Sequence, residues 1–414
     1  MINLRAYIVG SLLLYTTHTV CQPMPVTDQS VSARLSFVST AFNRIQGNIG
    51  LDSFYHKLYQ LKTSGHGRVN IVHIGDSHIQ ADFLSGVLRK NLQAFAGNAG
   101  RGLVFPYQLA QSNAPSDILS SSTVRWDYNR IAKPPSPVSC GISGFGLRTT
   151  TGEAVINITL RQADGIQLFN KIRLFTDADS TVQWFTGDDE LPVAVSTDTT
   201  VMFPVTASSV RLLKKGGPAG FHGISLELDT SGIVYHTIGV NGARYDQYND
   251  ADLFWEQLPA LNADLYIVSL GTNEAQAAAF SPSAFITEVE TMIRKLKMVS
   301  PHAAILITSA PDSYKARRSN AVLRQLNETL RKYCTDQSIP LWDLYRISNG
   351  FGSAYNWSRR GLMSRDRVHF TAEGYRLQGT LLYSALAKGY NDYIRVFATD
   401  QKGRSSSLLV KDVP

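Results

Sequence analysis

Cysteine is scarce in this 414-residue chain: Cys21, Cys140 and Cys334 stand far apart, in no spacing suited to zinc or redox work. That excludes a disulfide-built scaffold and a thiolate metal centre. No His-Glu-x-x-His occurs and no Cys/His cluster, so the expected chemistry needs neither metal nor organic cofactor. A strong charge bias is also missing. Forty Lys and Arg face 33 Asp and Glu, a net +7, and the basic residues form no dense run. Arg317-Arg318 and Arg359-Arg360 are isolated pairs, so no nucleic-acid partner is expected. Internal repeats are absent, and so is any apolar run long enough to cross a bilayer, which leaves no stable membrane insertion expected. The 43% hydrophobic and 18% charged composition is that of an ordinary globular protein, long enough for more than one core.

The amino terminus reads as a targeting segment. A short basic start, Met1 to Arg5, precedes an apolar run from Ala6 to Tyr15 and small residues at Thr19-Val20-Cys21. Residues 1–21 are therefore expected to be a signal peptide, and the mature protein to be periplasmic, envelope-associated or secreted. Lipidation of Cys21 is the rival reading, and His18-Thr19-Val20 matches poorly the small residues that precede such a cysteine.

Beyond it the texture changes twice. The segment to about Ser64 is mostly helical, with Leu51, Phe54, Tyr55, Leu58 and Leu61 on one face. A strand over 69–74 and a helix over 82–95 follow, then Gly97-Asn98-Ala99-Gly100-Arg101-Gly102, which reads as a flexible loop. From about 115 to 231 Ser, Thr, Gly and Asp dominate, and short alternating runs such as Ala154 to Leu160 and Gly223 to Leu228 suggest a β-sandwich. After Ile233 strands over 235–240, 265–270, 304–308 and 340–344 alternate with helices over 284–298, 316–335 and 372–387. Alternation of this kind implies a parallel sheet with right-handed crossovers. The expectation is an α/β domain in two parts, 22–114 and 232–395, interrupted by an all-β sandwich at 115–231 and followed by a tail at 396–414.

Four segments set polar residues just beyond strands of the α/β part, where open sheets gather their sites. They are Gly75-Asp76-Ser77-His78, Gly239-Val240-Asn241-Gly242-Ala243, Gly271-Thr272-Asn273-Glu274 and Asp366-Arg367-Val368-His369. A serine hydroxyl is a weak nucleophile without an adjacent base. His369 is the natural base, and Asp366, three residues earlier, can fix its tautomer and stabilise the imidazolium. Each residue alone has a plainer reading: Ser77 as a helix cap, Asn273 as a turn residue, Gly242 as a backbone bend. His73, inside the strand, reads as a core histidine. Trp126, Tyr128, Trp184 and Phe185 of the β segment read as packing residues before sugar platforms.

In this order the four blocks resemble those of the SGNH (GDSL-like) hydrolase family, over roughly 69–110 and 233–388. The resemblance implies a flavodoxin-like three-layer fold and an acyl-transfer site with Ser77, His369 and Asp366 as triad. It also implies an oxyanion hole from the Ser77 N–H, the Gly242 N–H and the Asn273 side-chain amide. Asp76, His78, Gln80 and Glu274 are expected around the pocket. His78 stands where the family usually has Leu, and Glu274 where Asp is usual. Both variants, the 97–102 segment and the β insertion are similar to bacterial peptidoglycan O-acetylesterases, in which the inserted domain resembles a carbohydrate-binding module. The implied partner is an O-acetylated glycan, peptidoglycan or another polysaccharide. A lipase or thioesterase, a polysaccharide O-acetyltransferase, and a non-catalytic carbohydrate-binding protein are the alternatives.

Overall fold

The computed structural model describes residues 22–161, 168–177, 181–187, 191–193 and 200–409, with side chains described to 397 in the last helix. The expected leader at 1–21 lies outside the described residues.

The central sheet has the order β1-β19-β16-β15-β2-β14 (Ile45–Gln46, Leu341–Trp342, Ala304–Thr308, Leu265–Ser269, Arg68–Gly75, Gly232–Gly239). All its pairings are parallel except that of β1 with β19. Without that short edge strand, the five parallel strands run 2-1-3-4-5 in chain order, the flavodoxin-like arrangement, whose order reverses beside the first strand. Here that strand is β2. Its side chains alternate between two buried layers: Val69 and Ile71 pack on one face, Val72 and Ile74 on the other. The first face is covered by α2 (Asp52–Ser64), α4 (Phe83–Ala96) and α12 (Ala372–Leu409); the second by α8 (Pro282–Val299) and α9 (Ala321–Asp336). His73 is the core histidine the sequence suggests, held between the Tyr235 hydroxyl at 2.8 Å and Ser269 Oγ at 2.7 Å. Burial lowers it to about 3, so it is neutral.

Two antiparallel sheets form the inserted sandwich. One runs β10-β9-β12-β7-β4 (Leu191–Val193, Val182–Thr186, Ser209–Gly216, Glu153–Leu160, Ile118–Ser122). The other runs β11-β8-β13-β6-β5 (Thr200–Ala207, Phe169–Thr176, Ala219–Glu227, Phe145–Thr149, Asp127–Arg130). Trp126 and Trp184 are core residues. Tyr128 and Phe185 are half-buried, each beneath a lysine ammonium.

Three sequence expectations change. The supposed loop at 97–102 leads into a buried strand, β3 (Gly100–Val104), that pairs with β13 of the sandwich. A Cβ at Gly100 would lie 2.4 Å from Glu227 Cα, so glycine marks close backbone approach there rather than flexibility. The helix expected from 316 begins at Ala321; before it β17 (Tyr314–Lys315) and β18 (Arg318–Ser319) form a hairpin, with Ala316 and Arg317 both at positive φ. The strand expected over 340–344 is only Leu341–Trp342, and Leu344 opens α10 (Leu344–Ile347). The segment after Ala387 continues α12 to Leu409, with 410–414 outside the described residues. Among the described residues no helix is long and apolar enough to cross a membrane.

Candidate active site

At the end of β2 the chain turns at Gly75 into α3 (Ser77–Gln80). Only glycine fits: a Cβ at Gly75 would stand 2.4 Å from Ile79 Cγ1 and 2.9 Å from the Ser269 carbonyl. Asp76 caps the short helix, its Oδ1 accepting the His78 N–H at 2.9 Å. Ser77 is thereby set half-exposed at the first helical position.

Its Oγ lies 2.9 Å from His369 Nε2, and His369 Nδ1 lies 2.7 Å from Asp366 Oδ2. Asp366 Oδ1 accepts the backbone N–H groups of Val368 and His369, both at 3.0 Å. Burial would raise the Asp366 carboxyl. The imidazole bond and the two amides outweigh it and hold the group below its ordinary value. An ionised Asp366 keeps the proton on Nδ1 and leaves Nε2 to accept from the Ser77 hydroxyl. Asp366 and His369 lie at the rim, with side chains 50% and 40% exposed. The loop is closed onto α12 by Thr371, the N-cap, whose Oγ1 accepts the Gly374 N–H.

The second block forms the turn after β14. Gly239 packs on α3, where a Cβ would come within 2.3 Å of the Gln80 amide nitrogen. Gly242, at φ +86, stands half-exposed at the turn's tip. Asn273, in α7 (Thr272–Gln276), donates its amide to the Ala243 carbonyl at 2.9 Å and, more weakly, to Asp76 Oδ2 at 3.3 Å.

The remaining expected pocket residues lie behind these groups. Glu274 is half-buried, with its Oε2 buried, and its Oε1 accepts the Tyr245 N–H at 2.9 Å, opening α5 (Tyr245–Asn249). Burial pushes the Asp76 and Glu274 carboxyls each up to about 7. Gln80 is a brace rather than a wall. Its Nε2 donates to Ser112 Oγ and the Asn113 carbonyl, and its Oε1 accepts the Asn241 N–H. His78 is buried, pairs with the Tyr375 hydroxyl at 3.0 Å and stacks on His369. Burial first, then His369, lowers it to about 3. Tyr375 went unnoticed in the sequence, where it is one aromatic among the apolar positions of α12. Ala132, of the β5–β6 loop, also reaches the site unannounced: a Cβ at Gly242 would lie 3.6 Å from its methyl. Among the described residues no group of three or more His, Cys, Asp or Glu side chains is placed to hold a metal ion.

Residues 215–377 match the GDSL-like Lipase/Acylhydrolase family. The match falls on the second part of the α/β unit, and the protein is a serine ester hydrolase. The matched span holds Gly242, Asn273, Asp366 and His369, while Ser77 precedes it because the sandwich separates the first block from the rest. In fold the hydrolase is similar to a solved peptidoglycan O-acetylesterase, with TM-score 0.71 and 24% identity over 83% of this chain and 96% of that one. Smaller enzymes align only on part of the chain. An acetyl xylan esterase, AlAXEase, has TM-score 0.31 and 18% identity over 37% of this chain and 80% of its own. A lipase/acylhydrolase from Enterococcus faecalis has TM-score 0.30 and 16% identity over 38% of this chain and 77% of its own. A search of curated proteins gives no match.

Proposed function

We propose that this hydrolase is an exported esterase that removes O-acetyl groups from peptidoglycan through an acetyl-enzyme on Ser77. The observation that carries the proposal is the unbroken hydrogen-bond relay from Ser77 Oγ through His369 to Asp366, at 2.9 and 2.7 Å. Ser77 Oγ attacks the acetyl carbonyl while His369 Nε2 takes its proton, and Asp366 holds the imidazolium. The oxyanion is met by the N–H groups of Ser77 and Gly242. Asn273 adds the amide hydrogen that leans only weakly on Asp76. His369 returns the proton to the departing sugar oxygen. Water, deprotonated by His369, then releases acetate and restores Ser77.

The choice of peptidoglycan draws support from the fold shared with the solved peptidoglycan O-acetylesterase over 83% of this chain. The amino-terminal pattern at 1–21 supports export. The test is acetate release from O-acetylated peptidoglycan by the wild type and by Ser77→Ala, with acetylated xylan and an aryl acetate in parallel. Release from peptidoglycan that vanishes in the variant is expected. Release mainly from xylan would keep the mechanism and move the substrate. No Ser77-dependent release from any of the three, in folded protein, would overturn the esterase role of this site.

A further inference from the structure

The β-sandwich touches the catalytic turn directly. The loop between β5 and β6, residues 131–144, is seated on the hydrolase part at two points. Ile142 N–H donates to Gln257 Oε1 at 2.8 Å, at the end of α6 (Asp252–Gln257). Gly144, at φ +72, lies so close to Val240 that a Cβ would come within 2.4 Å of Val240 Cγ2. Val240 is two residues before Gly242, and Ala132 of the same loop borders Gly242 itself. Gln80 ties the same turn to Ser112 and Asn113, just ahead of the sandwich's first strand. The sandwich and the turn that carries Gly242 therefore share one wall.

Lys133 follows Ala132 on that wall. It is exposed, and its ammonium stands 4.6 Å over the ring of half-buried Tyr128. No carboxylate among the described residues pairs with it; the aromatic face alone holds it. The nearby Arg244 is neutralised by Asp246 through two bonds, at 3.0 and 2.7 Å. Lys133 begins Lys133-Pro134-Pro135-Ser136-Pro137, whose three prolines limit the backbone freedom that ordering the loop would otherwise lose. A fixed, unneutralised cation beside a site for an uncharged ester serves a second feature of the substrate.

We infer that Lys133, buttressed by Tyr128, is a substrate-binding residue supplied by the sandwich, and that it recognises a carboxylate carried by the acetylated sugar or its immediate substituent. The inference rests on the reading of Ser77 and Gly242 as parts of the esterase site. It makes the insertion a specificity element of the catalytic cleft, whether or not it binds glycan elsewhere.

The experiment compares wild type, Lys133→Ala, Lys133→Glu and Tyr128→Leu on three substrates: solubilised O-acetylated peptidoglycan fragments, the same fragments with carboxylates amidated, and a neutral aryl acetate. Lys133→Ala is expected to raise KM for the anionic fragments about fivefold, in line with one partly exposed ion pair. Lys133→Glu should raise it further, and Tyr128→Leu by an intermediate amount. Neither kcat on the fragments nor turnover of the aryl acetate should change. Amidation should remove the difference between wild type and Lys133→Ala, as should high salt. Equal KM values for wild type and Lys133→Glu on the anionic fragments would overturn the inference while leaving the esterase reading intact. Loss of all Ser77-dependent turnover would instead overturn that reading. Calorimetric binding of the fragments to Ser77→Ala, with and without Lys133→Glu, then still decides the role of Lys133: equal affinity refutes it.

Discussion

The imidazole of His78 stacks on that of His369, with ring centroids 5.5 Å apart and planes 29° apart. His78 is buried, anchored through Tyr375, and kept neutral by its surroundings. A neutral ring against the base favours the imidazolium that forms during attack and blocks the ring from turning away from Ser77.

Replacing His78 by Leu should therefore lower kcat about tenfold, since a flat stacked surface is lost while the relay atoms remain. Tyr375→Phe should reproduce part of this loss by freeing His78. Steady-state kinetics on an aryl acetate check both. An unchanged kcat in His78→Leu would reduce His78 to a packing residue.

Asp366→Asn keeps the side-chain shape but offers an amide to His369 Nδ1. The wrong tautomer then faces Ser77, and kcat should fall by up to about 10⁴ with the fold intact. The rim position of Asp366 gives the folding equilibrium little stake in it, so circular dichroism and melting should barely change.

Glu274→Gln should reshape the pH dependence of stability. The buried Glu274 carboxyl is held at about 7, against an ordinary value near 4.5. Between those values the folded protein keeps a proton that the unfolded chain has lost. Stability from this group is thus present in acid and is lost as pH rises toward 7. The full cost above pH 7 is on the order of 3 kcal/mol. The glutamine still accepts the Tyr245 N–H through its carbonyl. Urea unfolding should show the variant gaining on the wild type from pH 5 to pH 8. A constant difference across that range would contradict the shift.

Two glycines of one block should respond differently to alanine. At Gly239 the new methyl would meet the Gln80 backbone at 2.3 Å, so α3 must move, costing more than about 2 kcal/mol and displacing Ser77. At Gly242 there is room, and the cost is the positive φ, about 1 kcal/mol. Melting curves should separate the two, and Gly242→Ala should affect activity more than stability.

The α/β alternation and the three blocks at the ends of β2, β14 and β15 were legible because each rests on local signals: apolar runs of strand length, then glycine and polar residues. The fourth, Asp366 to His369, follows no strand and lies in the loop before α12. Ser77, Asp366 and His369 came from residue type and chain order, and the fold brings them within hydrogen-bond reach of one another. What escaped depends on non-local partners. Gly100 and Gly102 looked like a mobile loop because nothing nearby in sequence announces β13, more than a hundred residues later. The hairpin before α9 turns through Ala316 and Arg317, neither of which advertises a left-handed backbone. Gln80 looked like a pocket residue because its three partners lie on two separate segments. Tyr375 and Ala132 carry no signal of their own.

The position of β2 has a consequence for how the molecule is made. Its two neighbours, β14 and β15, are both synthesised after the sandwich, with Gly75 opposite Gly239 and Ser269. A chain emerging from the ribosome therefore carries β2, the strand that leads to Ser77, unpaired for more than 150 residues. The sandwich can begin to assemble around β3 and β13 before the central sheet has a middle. Loop closure of this length slows folding and leaves the nascent chain extended for longer. Ser77 is thus the first of the three relay residues to be translated, almost 300 residues ahead of His369.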